Sequence, residues 1–161
     1  MAAGIRDITD ADLDWLADAA TEIGGPKMVA GGFVHDLTDY PALIAHDGET
    51  RLGFLVYRLG NVRAYILGIR STEPRRGLGS MMLAEFEQRA SAAGKTAVRL
   101  STTNDNLPAL RFAQLRGYRL RQLIPGAFLE AKKLKGIPSD QKTLGVHGIE
   151  IRDEIILNKD L

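Results

Sequence analysis

One stretch limits what this chain can fold into: an apolar run, a glycine-punctuated basic loop and an amphipathic run follow one another without a break. Val62-Arg63-Ala64-Tyr65-Ile66-Leu67-Gly68-Ile69 reads as a strand and Glu73-Pro74-Arg75-Arg76-Gly77-Leu78-Gly79-Ser80 as a turn. From Met81 to Ala93, the apolar residues Met82, Leu83, Phe86 and Ala90 recur at helical spacing. The first turn of a helix exposes backbone N–H groups at the positive end of its dipole, so such a junction attracts anions, phosphate above all. Gly77 and Gly79 let ligand oxygens approach the main chain, and Arg75 and Arg76 add positive charge at the rim. A bare Gly-x-Gly also serves as a simple turn. Two phosphate patterns do not fit: the nucleoside-triphosphate loop needs Lys where Ser80 stands, and the dinucleotide fingerprint needs a third glycine where Met82 stands.

The rest of the chain must provide one core. Its 161 residues suit a single domain, 1–161, that buries roughly 70% of the surface its unfolded form exposes. A hydrophobic content of 45%, a charged content of 25% and a net charge of +1 describe a globular chain without the basic excess of a general nucleic-acid binder. Without cysteine there is no disulfide scaffold, no thiolate metal site and no cysteinyl acyl-enzyme, and no metal site is expected. Arg6, Asp7, Asp10 and Asp12 interrupt the N-terminal residues, so no signal peptide is expected there, and no stretch reaches the 18 apolar residues of a membrane helix. The expectation is a cytoplasmic protein that contacts neither membrane nor nucleic acid.

In chain order, Ile5–Ile8 reads as a strand, and Thr9 or Asp10 caps a helix through Leu13, Leu16, Ala20 and Ile23 that stops at Gly24-Gly25. Residues 26–40 read as a helix or a mobile loop. Residues 41–46, 52–59 and 62–69 form a meander with Asp47-Gly48 and Gly60-Asn61 at its turns. After the long helix come a strand at Ala97–Ser101, a helix at Leu107–Arg116, a strand at Tyr118–Ile124, a short helix at Ala127–Lys135, a loop over 136–148 and a strand at Ile149–Leu157. Strand, helix, strand, helix implies a parallel pair within an α/β fold, a mixed central sheet flanked by helices.

The glycine loop resembles motif A of the GNAT superfamily of N-acetyltransferases, with Pro74 where that pattern has Gln or Arg. Leu100-Ser101-Thr102-Thr103-Asn104-Asp105-Asn106-Leu107-Pro108-Ala109-Leu110-Arg111-Phe112, followed by Arg116-Gly117-Tyr118, looks like motif B of the same superfamily. The similarity runs from about Leu43 to Ile124, and the Thr-Asn-Asp-Asn element points to small stand-alone bacterial members. The resemblance implies a GNAT-like fold with a splayed parallel strand pair, acetyl-CoA as co-substrate and transfer of acetyl to a small, N-terminal or lysyl amine. The CoA-binding set it implies is Leu67, Gly68 and Ile69 on the strand, Arg75, Arg76, Gly77, Leu78, Gly79 and Ser80 in the loop, and Asn104, Asn106 and Phe112 in motif B. Asn104 and Asn106 fit equally well as helix caps. Nothing in the sequence fixes the oligomeric state, a homodimer included.

Acetyl transfer requires a neutral amine, a stabilised oxyanion and a proton for the departing thiolate. Aligned by its glycines, the chain has Tyr65 where the subgroup commonly carries Glu, and Ala113 where a Tyr would stand. The catalytic candidates are therefore Tyr65, Tyr118 and His35, with Asp36 beside the last. For Tyr65 and Tyr118 the competing role is core packing. His46 and His147 read as surface residues, and Lys132, Lys133 and Lys135 as a solvated face. The alternative to an enzyme is an acyl-CoA-binding GNAT-like protein that has lost its acid–base residues.

Overall fold

The computed structural model describes residues 3–138 and 140–161. Its strands are β1 (Gly4–Asp7), β2 (Lys27–Ala30), β3 (Phe33–Asp36), β4 (Ala42–Asp47), β5 (Thr50–Leu59), β6 (Arg63–Ser71), β7 (Ala97–Thr103), β8 (Arg119–Ile124) and β9 (Glu154–Asp160), and its helices are α1 (Leu13–Ala19), α2 (Leu78–Ala92), α3 (Leu107–Leu115) and α4 (Ala127–Leu134). Seven strands form a mixed sheet in which β6 and β7 are the parallel pair, as the sequence led us to expect. The chain divides into two compact units: one holds the residues up to Met28, His35–Val98 and Leu161; the other holds Val29–Val34 and Arg99–Asp160.

In the first unit, β1, β4, β5 and β6 lie side by side in that order. One face carries the cluster Leu16, Ala20, Leu37, Ala42, Ile44, Phe54, Val56 and Leu67, with Trp15, Ile23 and Tyr40 packed against it. Burying each such aliphatic side chain stabilises by roughly 1.5–3 kcal/mol. On α2, Leu78, Met82, Leu83, Phe86 and Ala90 are buried, and the Phe86 ring meets Tyr57 of β5 at 4.9 Å between centroids. That stripe is the helical periodicity read from the sequence.

The entry to α1 is built on a buried carboxylate. Asp12 takes two hydrogen bonds from Arg6 (2.7 and 2.9 Å), one from Arg51 Nε (2.7 Å) and two from Thr9, through its N–H (2.8 Å) and its hydroxyl (3.0 Å). These donors stabilise the charged form, the Arg6 pair above all, and hold the carboxyl well below the usual carboxylate range. Thr9 is the N-cap, and one-turn 3-10 segments at Asp10–Asp12 and Ala20–Ile23 flank α1 up to the left-handed Gly24.

Two readings need correcting. Residues 26–40 are neither helix nor mobile loop: they form the hairpin β2–β3, turned at Gly31 and Gly32 with φ of +59° and +81°, followed by a 3-10 turn at Leu37–Asp39. Consecutive left-handed glycines make the tight turn that joins antiparallel strands, a stronger signal than the mixed polarity around them. The final strand begins at Glu154 rather than Ile149, and in the second unit β9 lies between β7 and β8, antiparallel to β8.

Candidate active site

The sequence-nominated residues fall in both units. In the first, the loop after β6 is tied at its base: Ser71 Oγ donates to the Glu73 carbonyl at 2.9 Å and the Thr72 N–H donates to the Leu52 carbonyl at 2.8 Å. Arg75 has φ of +71° and is the one non-glycine left-handed residue among those described; Gly77 has φ of +74°. Left-handed residues at alternate positions turn successive N–H groups toward a common point, a concavity suited to anions. Holding Arg75 there costs of order 1–3 kcal/mol, and strain of this kind concentrates at ligand clamps.

Gly77 is the N-cap of α2 and provides no side-chain hydrogen bond, and the first turn contains no acidic residue. In an α-helix the first turn's N–H groups have no partner within the helix itself. Arg76 is less available than its position suggested, because its guanidinium pairs with Glu73 inside the loop, and Asp47 is a more distant partner at 3.9 Å. Glu73, whose role sequence reasoning left undefined, is therefore the loop's internal counterion, which leaves Arg75 as the loop's exposed cation.

Along β6, pairing with β5 changes register: Val56 faces Gly68 and Tyr57 faces Ile66, so Leu67 is an extra residue in the strand. A bulge of this kind leaves one residue outside the ladder and redirects its peptide groups. Gly68 beside it is closely packed: a Cβ there would come within 3.0 Å of Ile23 Cδ1 and 3.3 Å of Leu37 Cδ1, so those side chains would have to shift by a few tenths of an ångström. Leu67 itself is buried in the cluster beneath α1.

Tyr65 lies opposite Arg58 in the β5–β6 register, and the Arg58 guanidinium sits 4.2 Å from the Tyr65 ring centroid. His35, on β3, brings Nδ1 to 2.5 Å from the Tyr40 hydroxyl, with the two rings tilted at 5.6 Å. Asp36 is occupied as a cap, accepting from the Thr38 N–H and hydroxyl, which lower its carboxyl's proton affinity. Sequence reasoning missed Arg58 and Tyr40. The available signal for Arg58 was a cation placed near the end of an otherwise apolar strand; for Tyr40 there was none, because its partner came from a segment read as irregular.

In the second unit, Asn104 is engaged on every side. Its Oδ1 accepts from the N–H groups of Arg152 (2.9 Å) and Asp153 (3.0 Å), its Nδ2 donates to the Glu150 carbonyl (2.9 Å), and its own N–H donates to the Asp153 carbonyl (3.0 Å). It fixes the approach to β9. Asn106 is the N-cap of α3, its Oδ1 accepting from the Ala109 N–H at 3.2 Å. Arg116 stacks 3.7 Å from the Phe112 ring centroid. Tyr118 is 1% exposed, with Lys159 Nζ 5.8 Å from its ring centroid, and Ala113 is equally buried. His46 bonds the Gly48 carbonyl and His147 is exposed. Lys132 is 5% exposed, which corrects its place in a solvated face: its ammonium donates to the Gln141 carbonyl at 2.9 Å and lies 5.3 Å from the Phe128 ring centroid. Burial lowers the proton affinity of Lys135, and Lys133, the exposed one of the three, pairs with Glu130 at 2.8 Å. Among the described residues, no helix is long and apolar enough to cross a membrane and no group of side chains has the makings of a metal site.

A model of the acetyltransferase (GNAT) family matches residues 13–118. Two proteins of Bacillus subtilis are similar in sequence over 139 residues: YdhI at 34% identity, over 84% of this chain and 84% of that one, and YxbD at 30%, over 86% of each. Among solved structures, a GNAT family acetyltransferase from Elizabethkingia anophelis with acetyl-CoA bound superposes with a TM-score of 0.73 at 20% identity, covering 99% of this chain and 98% of that one. The IAA acetyltransferase of Bacillus cereus gives 0.72 at 20%, covering 99% and 100%. The ribosomal-protein-S18-alanine N-acetyltransferase of Escherichia coli gives 0.70 at 14%, covering 99% and 94%. These structures share the fold.

Proposed function

The chain belongs to the acetyltransferase (GNAT) family, and from that premise we propose that it moves the acetyl group of acetyl-CoA directly to a primary amine. The observation that carries this reading is the start of α2: left-handed Arg75 and Gly77, no side-chain cap and no acidic residue in the first turn. An anion completes such a site, and the diphosphate of CoA is one of suitable charge. A structure with acetyl-CoA bound in the same fold supports the choice of anion.

Placed there, the diphosphate leaves the pantetheine arm to follow β6 toward the bulge at Leu67, whose redirected peptide is suited to meet the thioester carbonyl. The amine lone pair attacks that carbon, the C–N bond forms, and the carbonyl π pair moves to oxygen. Collapse of the oxyanion breaks the C–S bond and expels CoA thiolate; the nitrogen gives up a proton and the thiolate gains one. A primary alkylammonium has a pKa near 10.4, so an acceptor of the proton is needed at neutral pH. His35, linked to the Tyr40 hydroxyl, takes that role, and the Tyr65 hydroxyl protonates the thiolate. Tyr118, buried beside α3, supports the second unit's core rather than the proton transfers. One specific observation favours a second reading, an acyl-CoA binder without turnover: Ala113 is buried where a proton-donating Tyr would stand.

Two measurements separate these readings. Acetyl-CoA at about 100 times its dissociation constant should add about 2.7 kcal/mol, an increase of roughly 5–10 °C in the unfolding midpoint. No shift rejects both. Thiol release from acetyl-CoA with a panel of primary amines then supports the enzyme, and a shift without release supports the binder. The chain has no cysteine, so it adds no thiol background.

A further inference from the structure

Five arginines of the first unit have carboxylate partners. Arg6 and Arg51 share Asp12, Arg70 meets Glu22, Arg76 meets Glu73, and Arg89 meets Asp7 and Glu85. Arg58 departs from this pattern. It is half-buried, its Nε is buried without a hydrogen-bond partner, and no carboxylate among the described residues pairs with it. A guanidinium carries five donors and cannot shed its charge at physiological pH, so leaving a donor desolvated and unpaired costs stability. The Tyr65 ring, 4.2 Å from the guanidinium carbon, holds the group by its π face but accepts none of its in-plane N–H bonds.

We propose that Arg58 anchors a carboxylate of the acceptor, and that the acceptor is therefore an amine carrying a carboxylate close to its nitrogen, as a free amino acid does. The inference rests on the transferase reading above, which places the acetyl carbonyl at Leu67. Arg58 faces Tyr65, two residues before that bulge on the same strand, whereas the phosphate loop begins beyond Ser71, six residues from Tyr65 and roughly 20 Å along β6. The CoA phosphates are therefore the wrong anion for Arg58, and the acceptor is the right one. A carboxylate takes two parallel N–H bonds from a guanidinium fork, which fixes the neighbouring amine in orientation as well as position. The same strand positions bring in the proton handlers. The Tyr57 N–H donates to the Pro41 carbonyl, so Tyr40 follows the β4–β5 pairing at the level of Arg58, and His35 bonds Tyr40.

The test compares free L-amino acids with their carboxamides, on protein saturated with CoA for binding and with acetyl-CoA for turnover. At least one free amino acid should raise the unfolding midpoint, and its carboxamide should be roughly 10- to 100-fold poorer in kcat/KM. Arg58→Gln should raise KM for the free amino acid by that factor, leave kcat within a few-fold and remove the discrimination; Arg58→Lys should keep part of it. Both variants should retain the wild-type midpoint shift with CoA alone, which shows that they fold. The inference is overturned if the carboxamide serves as well as the acid, if Arg58→Gln discriminates as the wild type does, or if no free amino acid stabilises the CoA-bound protein. Stabilisation by amino acids without any thiol release would leave the carboxylate anchor standing and remove the transferase reading instead.

Discussion

Arg75 carries the cost of the loop at the scale of a single residue. Its left-handed backbone is unfavourable for any side chain with a Cβ, by roughly 1–2 kcal/mol, and no carboxylate among the described residues pairs with its guanidinium to offset that. The conformation is therefore there for what the loop's N–H groups do. Two substitutions separate backbone from charge. Arg75→Ala removes the cation and keeps the strain; Arg75→Gly removes both. The glycine variant should be more stable than the alanine variant by about 1 kcal/mol in urea unfolding. Both should bind acetyl-CoA more weakly than wild type. Equal stability would mean that the loop relaxes readily, and unchanged affinity would mean that the cation does not face the anion. The sequence showed the residue types here but not this tension, since no pattern of letters reveals that an arginine occupies glycine's conformation.

At the scale of elements, α2 shows stability and binding pulling in opposite directions at one position. Gly79 lies in the first turn, where a carboxylate would complement the helix dipole by about 0.3–1 kcal/mol and where aspartate also has the better helix propensity. Gly79→Asp should therefore raise the midpoint of the ligand-free protein while abolishing the shift with acetyl-CoA, because the added charge occupies the anion's place. A variant that still responds to acetyl-CoA would move the site away from this helix. The strand, loop and long helix were legible because each is signalled locally, by an apolar run, by glycines and by residues at helical spacing. The hairpin β2–β3 was not, although its Gly31-Gly32 turn was visible, because its strands have four residues each, show no polar–apolar alternation and pair with each other. The place of β9 between β7 and β8 was also hidden: strand order depends on partners distant in sequence, and Asn104, which read as a ligand or a cap, turns out to fix that approach through Glu150, Arg152 and Asp153. The candidate site divided in the same way: its phosphate loop was readable, while Arg58 and Tyr40 acquired meaning only from cross-strand register.

At the scale of the whole molecule, acid stability follows from one buried carboxylate. Asp12 joins β1 through Arg6, the start of α1 through Thr9 and β5 through Arg51, so its charge ties two neighbouring elements to a strand 39 residues further along the chain. Its folded-state proton affinity lies well below the ordinary carboxylate value of 3.8, with the Arg6 hydrogen bonds the largest cause. A depressed carboxylate binds fewer protons folded than unfolded, so its stabilisation is fully present above the unfolded value and is lost as the pH falls below it. The unfolding free energy should therefore be flat in this respect from pH 7 to about pH 5 and fall progressively below pH 4. Asp12→Asn keeps one acceptor oxygen but leaves Arg6 and Arg51 without a counter-charge, which should cost about 3 kcal/mol at pH 7. That cost should shrink toward pH 2, because the unfolded wild-type chain takes up a proton at this carboxyl there, which lowers its free energy relative to the folded state, while the variant has no such group. Urea unfolding of both proteins across this range checks the claim. Parallel curves, with the same gap at pH 7 and at pH 2.5, would show that Asp12 acts through shape rather than charge and would place the acid sensitivity of the chain elsewhere.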